Sequence, residues 1–315
     1  MTKIFIDGEA GTTGLQILER LKGRKDFELL HLAEDRRKEM SARAEMLNDA
    51  DICILCLPEE ASREAVNLIQ NDKTRVIDAS IAFRTDPDWD YGFPEYKHNQ
   101  TEIISKSKRV SNPGCYACAS ISMIYPLVAK GILPSNFPVT INAVSGYSGG
   151  GKSLIAAFED EKYEDMIDSA FFIYGLGLEH KHAPEIQKWS GLEKAPLFVP
   201  SVGRFFQGML VSVPLQLWQL KKKVSATHIN ETLVDYYSGQ RFVTVQPISG
   251  AKKIDRIYPE ELNGTNGLKI FIFSNESSGQ VVLCAQLDNL GKGAAGQAIQ
   301  NLNIMLGLDP TTGLI

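Results

Sequence analysis

The chain has 315 residues, 43% of them hydrophobic and 23% charged, which is typical of a globular protein with a sizeable core. Its formal charge of −5, from 33 basic and 38 acidic residues, offers no electrostatic basis for gripping nucleic acid. No apolar run approaches the roughly 20 residues needed to span a bilayer, and the N-terminus lacks a signal-peptide pattern, so we expect a cytoplasmic protein. The short basic run at 221–223 is interpreted as a solvated turn.

The N-terminal third alternates short apolar runs with helical patterns. Strands are predicted at residues 3–7, 27–33, 51–57 and 75–78. Helices are predicted at residues 14–21 and 61–70. The run at 51–57 is continuously apolar, as expected for a strand covered on both faces. This alternation predicts a parallel sheet with crossover helices.

The middle of the chain has a different pattern. After a predicted helix at 117–130, strands are predicted at residues 139–144, 208–217, 241–246, 269–274 and 280–287, without regular intervening helices. This pattern indicates a separate α+β domain with a largely antiparallel sheet. Residues 293–306 form an alanine-rich helical pattern that ends at Gly307, and small side chains predict close packing of this helix.

A glycine-rich turn follows the first predicted strand. Gly8, Gly11 and Gly14 are spaced G-x-x-G-x-x-G, a variant of the dinucleotide fingerprint. Glycine permits the tight turn and close approach to a pyrophosphate, and the helix N-terminus at Thr12 and Thr13 offers unpaired N–H groups. A glycine turn without a ligand is the alternative, but the strand–turn–helix context favours dinucleotide binding.

The second predicted strand ends in a mixed acidic and basic corner. Glu34 or Asp35 would suit a ribose hydroxyl and NAD, whereas Arg36 and Arg37 would suit the 2′-phosphate of NADP. The two arginines are also compatible with an exposed start of the next helix. At this point the residues leave the choice between NAD and NADP open.

Five cysteines at irregular positions indicate reduced thiols rather than a disulfide framework. Cys53/Cys56 and Cys115/Cys118 each have C-x-x-C spacing, which raises the alternative of a zinc site. Residues three apart in a strand point to opposite faces, so Cys53 and Cys56 cannot converge on one ion. We therefore predict no metal site and interpret Cys53, Cys56 and Cys284 as small core residues.

Cys115 has a different context. Pro113 and Gly114 predict a sharp turn directly before it, and the helix that follows places Cys115 near a helix N-terminus. That position stabilises a thiolate, so Cys115 is the predicted nucleophile. A dithiol with Cys118 and an inert buried thiol remain as alternatives.

A reactive cysteine needs a base or cation nearby. His180 and His182 alternate, so an extended segment would present both on one face. A metal site at this pair lacks a clear third ligand. We expect His31, His98 and His228 to be surface or structural residues.

Several runs together form a more specific pattern. They are the glycine fingerprint, Asp78–Arg84, Tyr91–Glu95, Ser111–Tyr116, Ser145–Lys152, His180–Ile186 and Asp288–Ala298. In these runs the chain resembles, over nearly its whole length, the short form of the N-acetyl-γ-glutamyl-phosphate reductases of arginine biosynthesis. The wider family includes aspartate-semialdehyde dehydrogenase.

The resemblance implies an α/β fold with a Rossmann-type parallel sheet completed by the C-terminal helix, plus an inserted α+β catalytic and oligomerisation domain. The implied NADP-binding domain comprises residues 1–115 and 288–315, and the implied catalytic domain residues 116–287. The implied activity is that of an NADP-dependent acyl-phosphate reductase. NADPH would reduce N-acetyl-γ-glutamyl phosphate to the semialdehyde, with release of phosphate.

Residue chemistry is compatible with this reaction. The Cys115 thiolate would attack the acyl phosphate to form a thioester, and His182 would protonate the oxyanion that follows hydride transfer, with His180 as the alternative. Asn112 would orient the carbonyl oxygen. Candidate substrate-binding residues are Ser145, Gly146, Ser148, Gly149, Arg84 and Lys152, for which a flexible loop and surface charges are the alternative. By resemblance, Asn289 would contact the nicotinamide.

Two other functions remain open from the sequence. One is a sibling acyl-phosphate reductase for aspartyl or aminoadipyl substrates, and the other is a non-catalytic NADP-binding regulator in which Cys115 is inert. The expected partners are the acyl phosphate and inorganic phosphate, with neither nucleic acid nor membrane. The strands of the middle domain suggest an extended subunit interface, so we expect a homodimer or homotetramer.

Overall fold

A computed structural model describes residues 1–220 and 223–315, so Lys221 and Lys222 of the expected basic turn lie outside the described residues. The chain forms two compact units, Met1–Gly114 with Ala294–Leu314 and Cys115–Gly293 with Ile315. Residues 115, 288–293 and 315, which the sequence placed in the first domain, belong to the second unit. Within the described ranges, no helix is long and apolar enough to cross a membrane.

The first unit contains a six-stranded sheet in which every pairing is parallel. Its strands are β1 (Thr2–Asp7), β2 (Phe27–Leu30), β3 (Ile52–Leu55), β4 (Arg75–Asp78), β5 (Asp90–Tyr91) and β6 (Arg109–Ser111), in the order β2-β1-β3-β4-β6-β5. Its helices are α1 (Thr12–Leu21), α2 (Met40–Asp49), α3 (Glu59–Leu68), α4 (Gln100–Lys106) and α10 (Gly296–Met305). The parallel sheet and the predicted strands β1 to β4 are confirmed, whereas α2, α4, β5 and β6 had no sequence prediction.

Alternating side chains of the central strands supply two separate cores. Ile4 and Ile6 of β1 belong to a cluster that includes Ile17 of α1 and Ile299 of α10. Phe5, which points to the other face, packs in a second cluster with residues of α2 and β3. Burial on both faces explains why the strands are continuously apolar.

Helix α10 lies on this sheet in the first unit and contacts α1, α4 and β4. All ten of its residues are buried, and the fully buried Ala298 allows the close approach that the alanine-rich pattern predicts. A π-helical turn, Gly291–Ala295, precedes it. The predicted completion of the first unit by a C-terminal helix is thus confirmed.

The second unit is built on a mixed seven-stranded sheet in the order β11-β12-β13-β10-β7-β9-β8. Its strands are β7 (Thr140–Gly146), β8 (Phe171–Ile173), β9 (Leu197–Gly203), β10 (Met209–Gln216), β11 (Val243–Val245), β12 (Leu268–Asn275) and β13 (Gln280–Leu287). Its helices are α5 (Cys115–Ala129), α6 (Gly151–Glu159), α7 (His182–Ser190), α8 (Ala226–Tyr236) and α9 (Ile248–Ala251).

Four of the six pairings in this sheet are antiparallel, as predicted, while β7–β9 and β11–β12 are parallel. The expectation of strands without intervening helices was wrong. Parallel neighbours need a long crossover connection, and the β7–β9 crossover contains α6, β8 and α7. That crossover carries the His180–His182 segment.

Candidate active site

The glycine-rich turn of the first unit joins β1 to α1. Gly8 has φ of +88°, and a Cβ there would overlap the Cys56 carbonyl oxygen. A Cβ on Gly14 would overlap the Gly8 carbonyl, and the Gly11 N–H donates to that same oxygen at 2.9 Å. Since α1 begins at Thr12, the free N–H groups of its first turn lie directly after the loop. This cradle has the shape and polarity that a pyrophosphate requires.

A cavity of about 400 Å³ adjoins the loop, and its lining includes Gly8, Leu32, Arg37, Lys38 and Arg43. Arg37 forms an ion pair with Glu34 at 3.3 Å. Arg36 pairs with Glu39 at 3.0 Å and is not part of the lining. Lys38, which sequence reasoning missed, contributes a second cationic side chain to the wall.

A buried ion pair forms another part of the cavity wall. Arg43 donates from Nε and Nη2 to one carboxylate oxygen of Asp7, at 3.1 and 2.9 Å, and from Nη1 to Glu64 at 2.9 Å. Burial raises the pKa of Asp7, and the hydrogen bonds from Arg43 oppose that shift. Thirty-six residues separate the two partners, so no local pattern predicted the pair.

Asn112 and Arg84 are buried in the first unit and hydrogen-bonded within it. The Asn112 side-chain amide donates to the Ala294 carbonyl at 3.0 Å, and its oxygen accepts from Asn301 at 3.0 Å. Arg84 Nε donates to the Asn112 carbonyl at 3.1 Å. The structure therefore shows both residues supporting the backbone around Asn112, a role that sequence reasoning did not assign to them.

Cys115 is the first residue of α5 and is half-buried. The helix begins two residues earlier than predicted, which places the thiol directly at the positive end of the helix dipole. Gly293 packs against it, since a Cβ on Gly293 would lie 2.6 Å from Cys115 Cβ. All five cysteines lie within the described residues, and none is in a disulfide.

A cluster of rings surrounds the two histidines in the second unit. The ring of Tyr116 lies 5.9 Å from that of His180 and 5.6 Å from that of His182, and the two imidazoles are 5.0 Å apart. Phe198 packs edge-on against His180 at 5.0 Å. His182 is only 6% exposed and begins α7. The structure thus brings both predicted histidines next to the residue that follows Cys115.

Hydrogen bonds connect this cluster. His180 Nε2 lies 3.2 Å from the Tyr174 hydroxyl, which donates to the Tyr116 hydroxyl at 3.4 Å. Burial lowers the pKa of His180 to about 4, and the neighbouring Lys181 acts in the same direction. Burial also raises the pKa of Tyr174 to about 12. Sequence reasoning assigned no role to Tyr116 or Tyr174. The position of Tyr116 directly after Cys115 was the one local signal available, and Tyr174 had none.

The predicted substrate loop lies between β7 and α6. Ser145 and Ser148 are buried, and Asn289 donates to Ser148 Oγ at 3.0 Å while accepting from the Gly208 N–H at 2.7 Å. Gly146 ends β7, and Gly149 lies in the 3₁₀ turn that leads into α6. Lys152, the second residue of α6, is exposed. The structure therefore groups Asn289 with the serines of this loop.

Cys53 and Cys56 pack in the core of the first unit, whereas Cys284 is partly exposed on β13. Cys53 belongs to one core cluster of the first sheet, whereas Cys56 packs against the cluster on the opposite face, as the strand geometry predicted. Burial raises the pKa of both thiols, and it raises that of Cys284 to about 12. Across the described part of the chain, no group of three or more His, Cys, Asp or Glu side chains is arranged to hold a metal.

The other three histidines are exposed. His31 pairs with Glu9 at 3.2 Å in the first unit. His98 and His228 lie on the surfaces of the first and second units, as expected for residues outside the site.

Comparison with known families matches both halves of the chain. Residues 3–104 match the semialdehyde dehydrogenase NAD binding domain, and residues 115–289 match the semialdehyde dehydrogenase dimerisation domain. Among solved structures, aspartate semialdehyde dehydrogenase from Francisella tularensis has a TM-score of 0.70 at 15% identity, covering 97% of this chain and 100% of that one. The enzyme with NADP from Candida albicans has a TM-score of 0.65 at 15% identity, covering 98% and 99%. At this identity these structures show the fold.

Two relatives are much more similar in sequence. N-acetyl-gamma-glutamyl-phosphate reductase 2 of Nostoc sp. is 50% identical over 318 residues, covering 99% of both chains. N-acetyl-gamma-glutamyl-phosphate reductase of Rhizobium etli is 52% identical over 305 residues, covering 96% of this chain and 98% of the relative. The chain therefore belongs to the semialdehyde dehydrogenase family and, within it, to the N-acetyl-gamma-glutamyl-phosphate reductases. The predicted family, fold class and oxidoreductase class are confirmed.

Proposed function

We propose that this protein catalyses the NADPH-dependent reduction of N-acetyl-γ-glutamyl phosphate to N-acetyl-L-glutamate 5-semialdehyde, with release of phosphate, as a step of arginine biosynthesis. The observation that supports this most is the half-buried Cys115 at the start of α5, with its neighbour Tyr116 packed on His182. The reaction is the one for which relatives about half identical in sequence are named.

Cys115 performs the covalent chemistry in this proposal. Its thiolate attacks the acyl carbon, the bond from that carbon to the phosphate oxygen breaks, and phosphate leaves with the electron pair. The product is a thioester on Cys115, whose weak resonance makes it a better hydride acceptor than an oxygen ester. After reduction, the thiohemiacetal hydroxyl returns its proton to His182 while the C–S bond breaks, which releases the aldehyde and restores the thiolate.

His182 acts as the acid in the second half of the reaction. Hydride addition to the thioester turns its carbonyl oxygen into an oxyanion, and His182 donates a proton to it. Its ring is held on the Tyr116 side of the cluster at the start of α7, and burial excludes bulk water from it. The imidazole regains that proton when the thiohemiacetal collapses to the aldehyde.

The first unit holds the cofactor. The cradle at Gly8, Gly11 and Gly14, with the N–H groups of Thr12 and Thr13, binds the pyrophosphate. Bound NADPH supplies the hydride. Arg37 and Lys38 line the adjoining cavity and bind the 2′-phosphate, which favours NADP over NAD. Arg36 points into its pair with Glu39, so we assign it no direct contact. Asn289 is assigned to the nicotinamide side of the site.

The loop from Ser145 to Gly149 binds the substrate chain, and Lys152 with the start of α6 attracts its anionic groups. We assign Asn112 and Arg84 to positioning the backbone that leads to the nucleophile, because the Asn112 amide and Arg84 Nε already donate to carbonyl oxygens. Their replacement is expected to lower kcat and protein stability together.

The second unit also forms the subunit interface in this proposal. One face of neighbouring strands carries the exposed Pro214 and the partly exposed Leu210, Phe273 and Val282. Val211 and Val213, on the other face, are fully buried. The matched family region is described as a dimerisation domain. We therefore assign a homodimer or homotetramer in the cytoplasm, with cofactor binding in the first unit and catalysis in the second.

Substrate choice tests the proposal most directly. Phosphate-dependent oxidation of N-acetylglutamate semialdehyde and of aspartate semialdehyde should be compared at equal NADP concentration. A higher kcat/KM for the acetylated substrate is expected. A preference for aspartate semialdehyde would instead make the protein a sibling acyl-phosphate reductase.

A cysteine pair in α5 provides the matched test of the nucleophile. Cys115→Ser is expected to abolish turnover, because the serine hydroxyl stays protonated at neutral pH and is a much weaker nucleophile than a thiolate. Cys118→Ala, in the same helix and fully buried, should retain activity. Retention of the rate by Cys115→Ser would exclude thioester chemistry at this residue, and inactivity of the unaltered protein on every acyl phosphate would favour a regulatory role.

A further inference from the structure

One chain of hydrogen bonds connects the start of α5 with the start of α7. The His182 N–H donates to His180 Nδ1 at 3.2 Å, and His180 Nε2 lies 3.2 Å from the Tyr174 hydroxyl. Tyr174 donates to the Tyr116 hydroxyl at 3.4 Å, and Tyr116 donates to the Ser201 carbonyl at 3.2 Å. The path begins and ends on backbone groups.

Those two ends set the direction of every bond between them. A backbone N–H can only donate and a backbone carbonyl can only accept, so each side chain accepts on one side and donates on the other. His180 Nδ1 accepts and therefore carries no proton. In a neutral imidazole the proton is then on Nε2, which donates to Tyr174. Both ring nitrogens of His180 are thus in use.

We propose that His180 is a positioning residue, a neutral link that couples Tyr116 to the backbone of His182, and that His182 alone serves as the proton donor. This inference rests on the proposed function for the meaning of "proton donor", but the hydrogen-bond geometry stands without it. Tyr116 follows Cys115 directly in α5, and His182 is the first residue of α7. The link therefore fixes the position of Cys115 relative to His182 within the second unit.

His180 also acts as the cap of α7. The first N–H groups of a helix have no partner within it, and the residue before His182 supplies no side-chain cap. The His180 ring takes that place by accepting from the His182 N–H. Because the ring is clamped between Tyr116 and Phe198, the cap is rigid.

The surroundings of His180 favour the neutral ring. The ionisable groups around it are Tyr116 from α5, Tyr174 from the segment after β8, and Glu179, Lys181 and His182 beside it in the chain. Glu179 is the anion of this set and is exposed to solvent, and Lys181 is a cation. Protonation at Nδ1 would also turn the proton towards the His182 N–H. These contacts are consistent with the lowered pKa of His180, about 4.

Histidine-selective ¹⁵N NMR of the full-length protein tests the proposal without any assay. His180→Asn identifies the signals of His180 by their loss. Between pH 5.5 and 7.5 (about one unit either side of the ordinary histidine pKa), these signals are expected to show one neutral form with the proton on Nε2. A protonated ring near pH 7, or a proton on Nδ1, would overturn the proposal.

Variants of His180 distinguish positioning from proton donation. The Asn side-chain oxygen in His180→Asn can still accept from the His182 N–H, so kcat should stay within about tenfold of the unaltered protein, whereas His180→Leu should lose about a hundredfold. KM should change little in both. His182→Asn should lose about 10²–10⁴-fold, the range of a lost acid. Equal inactivation by His180→Asn and His180→Leu, with loss of the alkaline limb of the pH–rate profile for reduction, would overturn the assignment.

Tyr174→Phe provides a second route if a His180 variant fails to fold. It breaks the link to Tyr116 while leaving the aromatic packing, so kcat should fall about tenfold with the limbs of the pH–rate profile unmoved. Phe198→Leu removes packing on the same imidazole without touching a hydrogen bond, and it should lower Tm with a smaller effect on kcat. A full rate in Tyr174→Phe would exclude the link. An inactive parent enzyme with the expected NMR tautomer would contradict the proposed function alone.

Discussion

Gly293→Ala is expected to misplace the nucleophile. The added Cβ would lie 2.6 Å from Cys115 Cβ and 3.1 Å from Leu287 Cδ1. Carbon atoms in contact are normally about 3.5–4.0 Å apart, so one side must move by about 1 Å. Asp288 restrains the backbone here, because its carboxylate accepts from the N–H groups of Leu290 and Gly264 at 2.8 and 2.9 Å. The shift is therefore expected to fall on Cys115.

A displacement of about 1 Å at a reacting group lowers the rate about a hundredfold. This corresponds to about 2.7 kcal/mol of transition-state stabilisation, at 1.36 kcal/mol for each tenfold. Overpacking should also destabilise the fold by about 1–3 kcal/mol. The expected result is a large loss of kcat with a small change in KM, because the cofactor cradle is in the other unit.

The assay combines steady-state kinetics with the pH dependence of Cys115 alkylation by iodoacetamide, which reports the accessible thiolate directly. Gly291→Ala, two residues away, is the matched control. Its added Cβ would overlap the Thr265 carbonyl and lie 2.9 Å from the Asp288 carboxylate, and Cys115 is not among its three nearest atoms. This variant should lower Tm while leaving the alkylation rate unchanged. If Gly293→Ala shows kcat and alkylation within threefold of the unaltered protein (about 0.65 kcal/mol), the steric reasoning is refuted.

Three further predictions concern the first unit and the histidine cluster. Arg37→Ala and Lys38→Ala should each raise KM for NADPH about tenfold, the low end for a lost charge-assisted contact, without raising KM for NADH. Arg36→Ala should leave both KM values unchanged. Equal effects on both cofactors would refute the 2′-phosphate assignment. Arg43→Met should lower the free energy of unfolding, measured with urea, by about 3–5 kcal/mol, because Asp7 stays buried without its partner. Adding Asp7→Asn to this variant should restore part of the loss. Unchanged stability in Arg43→Met alone would contradict this. The pKa of His180 falls from 6.5 to about 4 on folding, so the folded state binds fewer protons than the unfolded state between those pH values. The free energy of unfolding should therefore drop as pH falls through this window, and it should drop less in His180→Asn. Parallel plots of unfolding free energy against pH for the two proteins would show that another group titrates.

The parts of the site that local pattern specifies were predictable. The spacing of Gly8, Gly11 and Gly14 between a strand and a helix predicted the cradle, because a turn depends on residues next to each other in the chain. The Pro113–Gly114 turn likewise predicted a helix start close to Cys115. The predicted start was residue 117, and in the structure the helix begins at Cys115.

The crossover helices of the second unit were missed for a different reason. The sequence predicted β7 but not β9, and it does not show that these two strands are parallel neighbours. That pairing requires a return path, and the path contains α6 and α7. Strand partners depend on packing between distant segments, so the expected absence of helices was wrong.

The sequence by itself was enough to propose Cys115 as the nucleophile and to predict the glycine-rich turn and the pair of histidines, because each depends on neighbouring residues. Tertiary structure alone decided that the two ring nitrogens of His180 hydrogen-bond to Tyr174 and to the His182 N–H. It also decided that Gly293 contacts Cys115 and that Arg43 pairs with Asp7. Apart from His180 and the His182 backbone, the partners in these contacts lie 6 to 178 positions apart in the chain. Such contacts exist only after the chain has folded, because hydrogen-bond direction, steric fit and burial are properties of the packed state.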